Sequence, residues 1–520
     1  MKHAEFVMAC LALLLSGCVV GPDYERPPTV LDDQQRYQHA RPIETAQMWS
    51  SDPNSAWWEH FGDPLTADLV RQALQNNTDL QAQAARVLQA EALLRQSRGA
   101  EQPHVEAGFS ARRFQVSNDD GNFDRRQTGD GQGGDAEQPS SFSAPSRRQT
   151  SLEPSLSVSY VVDLFGRLRR ATEASQATLL SRRANFEALQ HSIIAQIIRS
   201  RVEIATIQQQ LEIARNNTRN WQAALEIAER RYRSGLVGPL EVHVARENVA
   251  RSQSLEPALE LSLQQAYHAL DVLLGRAPGT TQQMAPTLAE LPDLQTVPTG
   301  LPAELLDRRP DLREAELRLH AATARIGVNE AELYPDLTLS GSIGYSADRF
   351  ADLFQSETLI WNLAANLTQP LFQGGQIRAR IEEARAVVRE ELALYTGTVL
   401  QALREVEDAL INETKLQEQL TYLTVRFQEA EASERLAQDR YLKGVESLTT
   451  VLETERSRRE AEDQLTTLKR DIWIGRVDLL LALGGDWRTD AYQPGTAGPE
   501  DEATPVSAES TVAAQSPAMH

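Results

Sequence analysis

The sequence predicts an α+β chain in which one unit, two strands followed by a long helical hairpin, is used twice. Three observations carry this. Residues recur at constant offsets, four segments alternate polar and apolar at period two, and most of the rest lacks helix breakers and has heptad-like apolar spacing.

The duplication is read first. Asn77-Thr78-Asp79-Leu80 returns as Arg309-Pro310-Asp311-Leu312, and Arg86, Ala90 and Pro103 return as Arg318, Ala322 and Pro335, all at an offset of 232. Leu164-Phe165 returns as Leu371-Phe372 at 207. Gly166, Arg169, Tyr232, Gly235 and Leu274-Gly275 then return as Gly375, Arg378, Tyr441, Gly444 and Leu483-Gly484 at 209. The first copy is therefore 25 residues longer between Pro103 and Leu164, in a stretch dense in Gly, Asp and Ser. Such a stretch is a loop tip, where extra length is tolerated.

In chain order, residues 1–17 read as a secretory signal: a short apolar run from Phe6, too short to span a membrane. It ends in Leu15-Ser16-Gly17-Cys18, small residues before a cysteine, which is the pattern of a lipoprotein cleavage site with Cys18 acylated, for example by palmitate. Residues 18–60 form an extended segment held by that anchor. The first repeat covers 61–275, with strands at about 104–115 and 151–163 around a loop at 116–150. A linker follows at 276–300. The second repeat covers 301–487, with strands at about 336–346 and 358–370. Residues 488–520 are rich in Pro, Ala, Ser, Thr and Glu and read as a disordered tail.

The strands have one apolar and one polar face. Leu156, Val158, Tyr160 and Val162 oppose Ser155, Ser157 and Ser159, and Leu359, Trp361, Leu363 and Leu367 oppose Asn362, Asn366 and Thr368. Strands of this length and pattern suit a barrel with lipid outside and water inside, and equally a soluble sheet with one wet face. The helices begin where no Pro or Gly interrupts Arg167 to Arg233, and Ile193, Ile197, Ile204 and Leu211 repeat along that stretch, as Val399, Leu403, Val406 and Leu410 do in the second copy. Each long helix stops at a glycine turn, at Gly235 and at Gly444, and another helix returns.

Assembly follows from closure. Four strands cannot close, and open sheet edges are forbidden in lipid. Two chains give eight strands, whose interior fills with side chains; three give twelve, enough for a water path. A trimer with a transmembrane β-barrel above a helical α-barrel is the geometric expectation. The net charge of -21 argues against nucleic acid as a partner. No nucleophile, metal or nucleotide motif stands out, so the reading is a non-enzyme without cofactor or metal.

The chain resembles the outer-membrane efflux factor family, the TolC-like proteins, in its lipoprotein branch. The resemblance rests on Cys18-Val19-Val20-Gly21-Pro22-Asp23-Tyr24-Glu25-Arg26-Pro27, Trp57-Trp58-Glu59-His60-Phe61-Gly62-Asp63-Pro64-Leu65, the run Leu301 to Leu312, Gln369-Pro370-Leu371-Phe372-Gln373-Gly374-Gly375 and the closing Ala482 to Trp487. It implies a homotrimeric outer-membrane conduit that docks a periplasmic adaptor and, through it, an inner-membrane pump of the resistance-nodulation-division (RND) class. Cargo would be drugs or other small toxic compounds. Val19 after the anchor, with no Asp there, fits the outer membrane. The resemblance also places a periplasmic gate at Tyr441, Thr449, Glu453 and Arg456. Thr449 departs from the bulky apolar residue of a well-known relative, with Val451 or Leu452 as substitutes. Glu453 and Arg456, at i and i+3, would pair within or between chains. The Gly238-Pro239-Leu240-Glu241-Val242 turn of the first copy differs from its counterpart, so one turn would be fixed and the other moving. Two alternatives stand beside this: a lipid-anchored periplasmic coiled-coil scaffold, or the same conduit carrying metal ions or polypeptide.

Overall fold

The computed structural model describes residues 19–32, 36–39, 57–116, 147–281, 294 and 304–485. The signal segment, Cys18, loop residues 117–146, most of the 276–300 linker and the 488–520 tail lie outside the described residues. After a single 3-10 turn at Trp57–Phe61, inside the segment the sequence read as extended, come α1 (Pro64–Asn76), α2 (Thr78–Ala100), β1 (His104–Val116) and β2 (Arg147–Val162). Then follow α3 (Arg167–Arg233), α4 (Pro239–Leu273), α5 (Leu305–Arg308), α6 (Pro310–Ala331), β3 (Asp336–Tyr345), β4 (Leu359–Thr368), α7 (Gln376–Leu442) and α8 (Leu448–Ala482).

The duplication is visible in the helices. Both α3 and α7 have 67 residues, and both α4 and α8 have 35. At 1.5 Å per residue these are roughly 100 Å and 50 Å long. One short helix cannot cover a long one. Instead α2 and α4 share the length of α3, and α6 and α8 share the length of α7; α6 also packs on α3 and so joins the two copies.

The short helices meet nearly end to end. Asn77 caps α2 by accepting from the amides of Asp79 (2.9 Å) and Leu80 (3.1 Å), while its own amide group donates to the Leu273 carbonyl at the end of α4 (2.9 Å). At the equivalent place in the second copy, Arg309 donates to the Ala482 carbonyl at 3.1 Å and also binds Asp311 and Glu405. Each joint needs a glycine. Gly275 has φ 69°, and a Cβ there would lie 2.3 Å from the Asn76 carbonyl oxygen. Gly484 has φ 97°, a backbone conformation side chains rarely adopt, and a Cβ there would lie 3.1 Å from the Arg308 backbone. The main hydrophobic core surrounds these joints, with Trp57, Ile197, Leu270, Leu274, Leu312 and Val477 all buried.

The sheet is antiparallel throughout, in the order β1-β2-β3-β4. One register row runs Val105, Val158, Gly341, Leu363, and the next on the same face runs Ala107, Leu156, Ile343, Trp361. The opposite face carries Glu106, Ser157, Ser342 and Asn362. Directly paired residues share a face, so the alternation read in single strands becomes a continuous apolar surface. Residues 147–150, which the sequence assigned to the loop, are strand: Thr150 pairs with Arg113 and Arg147 with Val116. The hairpin extends beyond the apolar band. Arg147, Arg148, Gln149 and Thr150 are polar without a break, so the period-two signal disappears and only backbone pairing marks the strand.

Asp271, near the end of α4, organises the turn that follows. Its carboxylate accepts from the amides of Gly279 (2.8 Å), Thr280 (3.0 Å) and Thr281 (3.2 Å) and from the Thr281 hydroxyl (2.7 Å). Burial opposes its charge, but the Thr281 bonds and the neighbouring amides hold its carboxyl below the usual range. A folded-state value below the unfolded one stabilises the fold above the ordinary carboxylate range, and that contribution is lost as pH falls through the lowered value. Thermal melts of wild type against Asp271→Asn are expected to differ at pH 7 and to converge on acidification below about pH 4.

Candidate functional site

The first functional surface is the sheet. On its apolar face Phe109 is 60% exposed, Trp361 74% and Leu363 80%. A soluble protein rarely leaves such a face bare. Ten strand residues at about 3.3 Å each, tilted as in membrane barrels, match an apolar band about 25 Å tall. Among the described residues, no helix is long and apolar enough to cross a membrane.

The second is the N-terminal strap. The Val20 amide donates to the Phe165 carbonyl at 3.1 Å. Arg170, buried near the start of α3, donates to the carbonyls of Val20 (3.3 Å) and Gly21 (3.2 Å) and to Asp23 (2.6 Å). Gly21 lies flat on Gly327 of α6, where a Cβ would be 2.4 Å from the Gly327 Cα. Tyr24 stacks on His320 at 4.5 Å and donates to Glu316, and Arg26 pairs with Glu316 and Asp307. Burial first, then Glu316, pushes the Tyr24 hydroxyl well above its ordinary value. In sequence His320 is an isolated histidine; its strap contacts exist only in the fold. Cys18 lies outside the described residues, but Val19 rests against Gly166, four positions past the end of β2. The strap thus begins at the foot of the strands. Arg170→Ala is expected to leave the helices intact while releasing the strap, read as faster proteolysis within residues 19–32 at unchanged helical circular dichroism.

The third lies at the far ends of the hairpins. Both turns have the same backbone: Leu236 donates to the Arg231 carbonyl and Val445 to the Arg440 carbonyl, each next to a glycine with positive φ. Of the residues singled out by sequence, Tyr441 links the two turns. Its hydroxyl donates to Glu241 on α4 at 3.4 Å, Arg231 sits over its ring at 4.6 Å, and Arg231 also donates to its carbonyl at 3.2 Å. Burial, ahead of the opposing pull of Arg231, pushes the Tyr441 hydroxyl up. Val451 is buried, Leu452 half-buried, and Thr449, Glu453 and Arg456 are exposed. Within the chain Arg456 lies 4.0 Å from Glu460 on the following turn, so it does not form the i, i+3 pair with Glu453. Both short-range geometries were open to its long side chain.

Sequence reasoning missed the charged knot above these turns. Arg458 on α8 pairs with Glu434 on α7 and Glu462 on its own helix, and donates to Asn217 on α3 at 2.9 Å. Burial, the largest influence, raises the Glu434 carboxyl against the pull of Arg458. Its spacing looks like any solvated helix face; only the packing of three helices buries it. Removing one partner strands the other, so Arg458→Ala is expected to cost about 3 kcal/mol of stability, measured by denaturant unfolding.

Comparison with known proteins adds the following. The family model described as outer membrane efflux protein matches residues 69–276 and 301–485. A pyoverdine export outer membrane protein, OpmQ, from Pseudomonas putida is 33% identical over 449 residues, covering 86% of this chain and 91% of that protein. The toluene efflux pump outer membrane protein TtgF of Pseudomonas putida is 28% identical over 497 residues, covering 95% of this chain and 99% of that protein. Among solved structures, the outer-membrane channel OprN matches with TM-score 0.79 at 30% identity, over 91% of this chain and 100% of that one.

Proposed function

The chain belongs to the outer membrane efflux protein family and is the outer-membrane channel component of a tripartite efflux system; from that premise we propose that it works as a lipid-anchored homotrimer, a passive conduit closed at its periplasmic end. The observation that carries this is the sheet of four strands among the described residues, with a continuous apolar face and two edges, β1 and β4, unpaired there. In lipid those edges require partners, and three copies supply twelve strands with a water-filled interior. Cys18, acylated, holds the strap at the foot of the barrel in the outer membrane. The hairpins extend into the periplasm, where their ends meet an adaptor and, through it, an RND-type pump that provides the energy. The chain itself has no catalytic step.

The gate is the link between hairpin ends. Tyr441 ties the second turn to Glu241 and Arg231 of the first, and Thr449, Val451, Leu452, Glu453 and Arg456 occupy the stretch that follows it. With Arg456 directed to Glu460 inside the chain, Glu453 is left for contact between chains. Each half-exposed link is worth roughly 1 kcal/mol, so contact with an adaptor suffices to open it. The polar sheet face carries the hydroxyls of Ser155, Ser157, Ser159, Ser340 and Ser342 together with the charged Glu106, Glu153 and Arg112. The cargo we propose is drugs or other small toxic compounds, selected by the pump.

Purified protein in planar bilayers is expected to show small, flickering conductance. Tyr441→Phe and Glu453→Ala/Arg456→Ala are each expected to raise it several-fold. Conductance equal to wild type in both variants moves the seal elsewhere. A folded trimer without conductance favours the scaffold alternative.

A further inference from the structure

The apolar face of the sheet has a measurable height. At the foot it starts with Val162, paired to Leu337, and at the far rim it ends with Leu152, paired to Ala111 and bridged to Ala347. Ten strand steps separate Val162 from Leu152, and at about 3.3 Å each with a tilt of about 40° they rise about 25 Å, the height of a membrane barrel's apolar band. The next row on that face is Arg113, paired with Thr150. Arg113 is exposed and lies one pleat beyond Ala111, so it stands just past the band. Arg349 follows Ala347 by two residues, is exposed and has extended backbone (φ -132°, ψ 145°). Carried on from Ala347, the β2–β3 register sets Arg349 beside Thr150 from the other side.

The two rims differ in how their cations are met. At the foot, Arg167 pairs with Asp336 at 3.6 Å and Arg169 with Asp163 at 3.4 Å. At the far rim, neither Arg113 nor Arg349 has an ion pair or a hydrogen bond from its side chain among the described residues, although Asp348 adjoins Arg349 in the chain. The segment that follows Arg349 is aromatic. Phe350 and Phe354 are 72% and 71% exposed, and Phe354 meets Tyr345 edge-on at 5.3 Å. Exposed rings of this kind collect where a barrel leaves the hydrocarbon.

We propose that Arg113 and Arg349 form a binding surface for a phosphate-bearing lipid of the outward-facing leaflet. This rests on the barrel reading above and goes beyond it by naming a lipid chemistry and the residues that take it. The helices lie at the foot, so the far rim belongs to the leaflet away from the periplasm. A guanidinium just past the hydrocarbon stands at headgroup depth, and phosphate is the anion that its planar fork of donors fits. The rings of Phe350 and Phe354 supply the apolar contact below the headgroup. A zwitterionic lipid carries its own cation beside its phosphate and gains little from two arginines; a lipid with phosphates and no such cation gains most. Three copies repeat the pair around the rim.

Titration of the purified full chain in neutral detergent tests it, with lipid A as the phosphate-bearing probe and phosphatidylcholine and inorganic phosphate as controls. Wild type is expected to bind lipid A in preference to both controls. Arg113→Gln/Arg349→Gln is expected to bind lipid A roughly thirtyfold more weakly, since each arginine near a charged membrane surface contributes a similar share. Arg113→Lys/Arg349→Lys keeps the charge without the fork and is expected to recover part of that loss. Light scattering separates the ways of failing. A monomer overturns the barrel reading and with it the rim. A trimer whose affinity for lipid A is the same in wild type and in the Gln variant overturns the lipid surface and leaves the conduit. Inorganic phosphate binding to wild type as tightly as lipid A also overturns it, because the site then takes a soluble anion.

Discussion

A helix of 67 residues exposes apolar side chains along its whole length and must be covered along its whole length. The fold meets this constraint with two shorter helices placed end to end. The Asn77–Leu273 and Arg309–Ala482 bonds close those joints, and Gly275 and Gly484 permit the approach. The main core collects around the joints because that is where helices from both copies come within reach of one another. The hairpin ends and the sheet are held in place from this belt.

The two ends then face different solvents. At one, the sheet turns an unbroken apolar face outward and leaves two edges unpaired, which is stable only in lipid and only with more strands. At the other, polar contacts dominate: Tyr441 with Glu241 and Arg231, and Arg458 with Glu434, Glu462 and Asn217. These differ in kind. The Arg458 knot is buried and costly to break, which keeps the second hairpin on α3. The Tyr441 link is partly solvated and cheap to open. A rigid shaft with a weakly fastened end is what the proposed opening by contact would require.

The strap adds a connection that neither copy has alone. It donates a hydrogen bond to the Phe165 carbonyl, accepts others from Arg170 of the first copy, and places Tyr24 and Arg26 on His320, Glu316 and Asp307 of the second. The strap therefore packs on both copies at once.

Sequence periodicity was enough for the helices and strands, because each reports a local rule: Ile193 to Leu211 on one helical face, Leu156 to Val162 on one strand face. Constant offsets were enough for the duplication. Residues 147–150 escaped because four consecutive polar residues have no alternation to read. The sequence by itself determined which segments are helical, which face of each strand is apolar, and that four strands per chain leave a sheet open. Only the tertiary structure decided that His320 serves the strap and that Arg458 is buried against Asn217. Those partners lie on other elements, and a side chain's choice among them is set by packing that no spacing along the chain encodes.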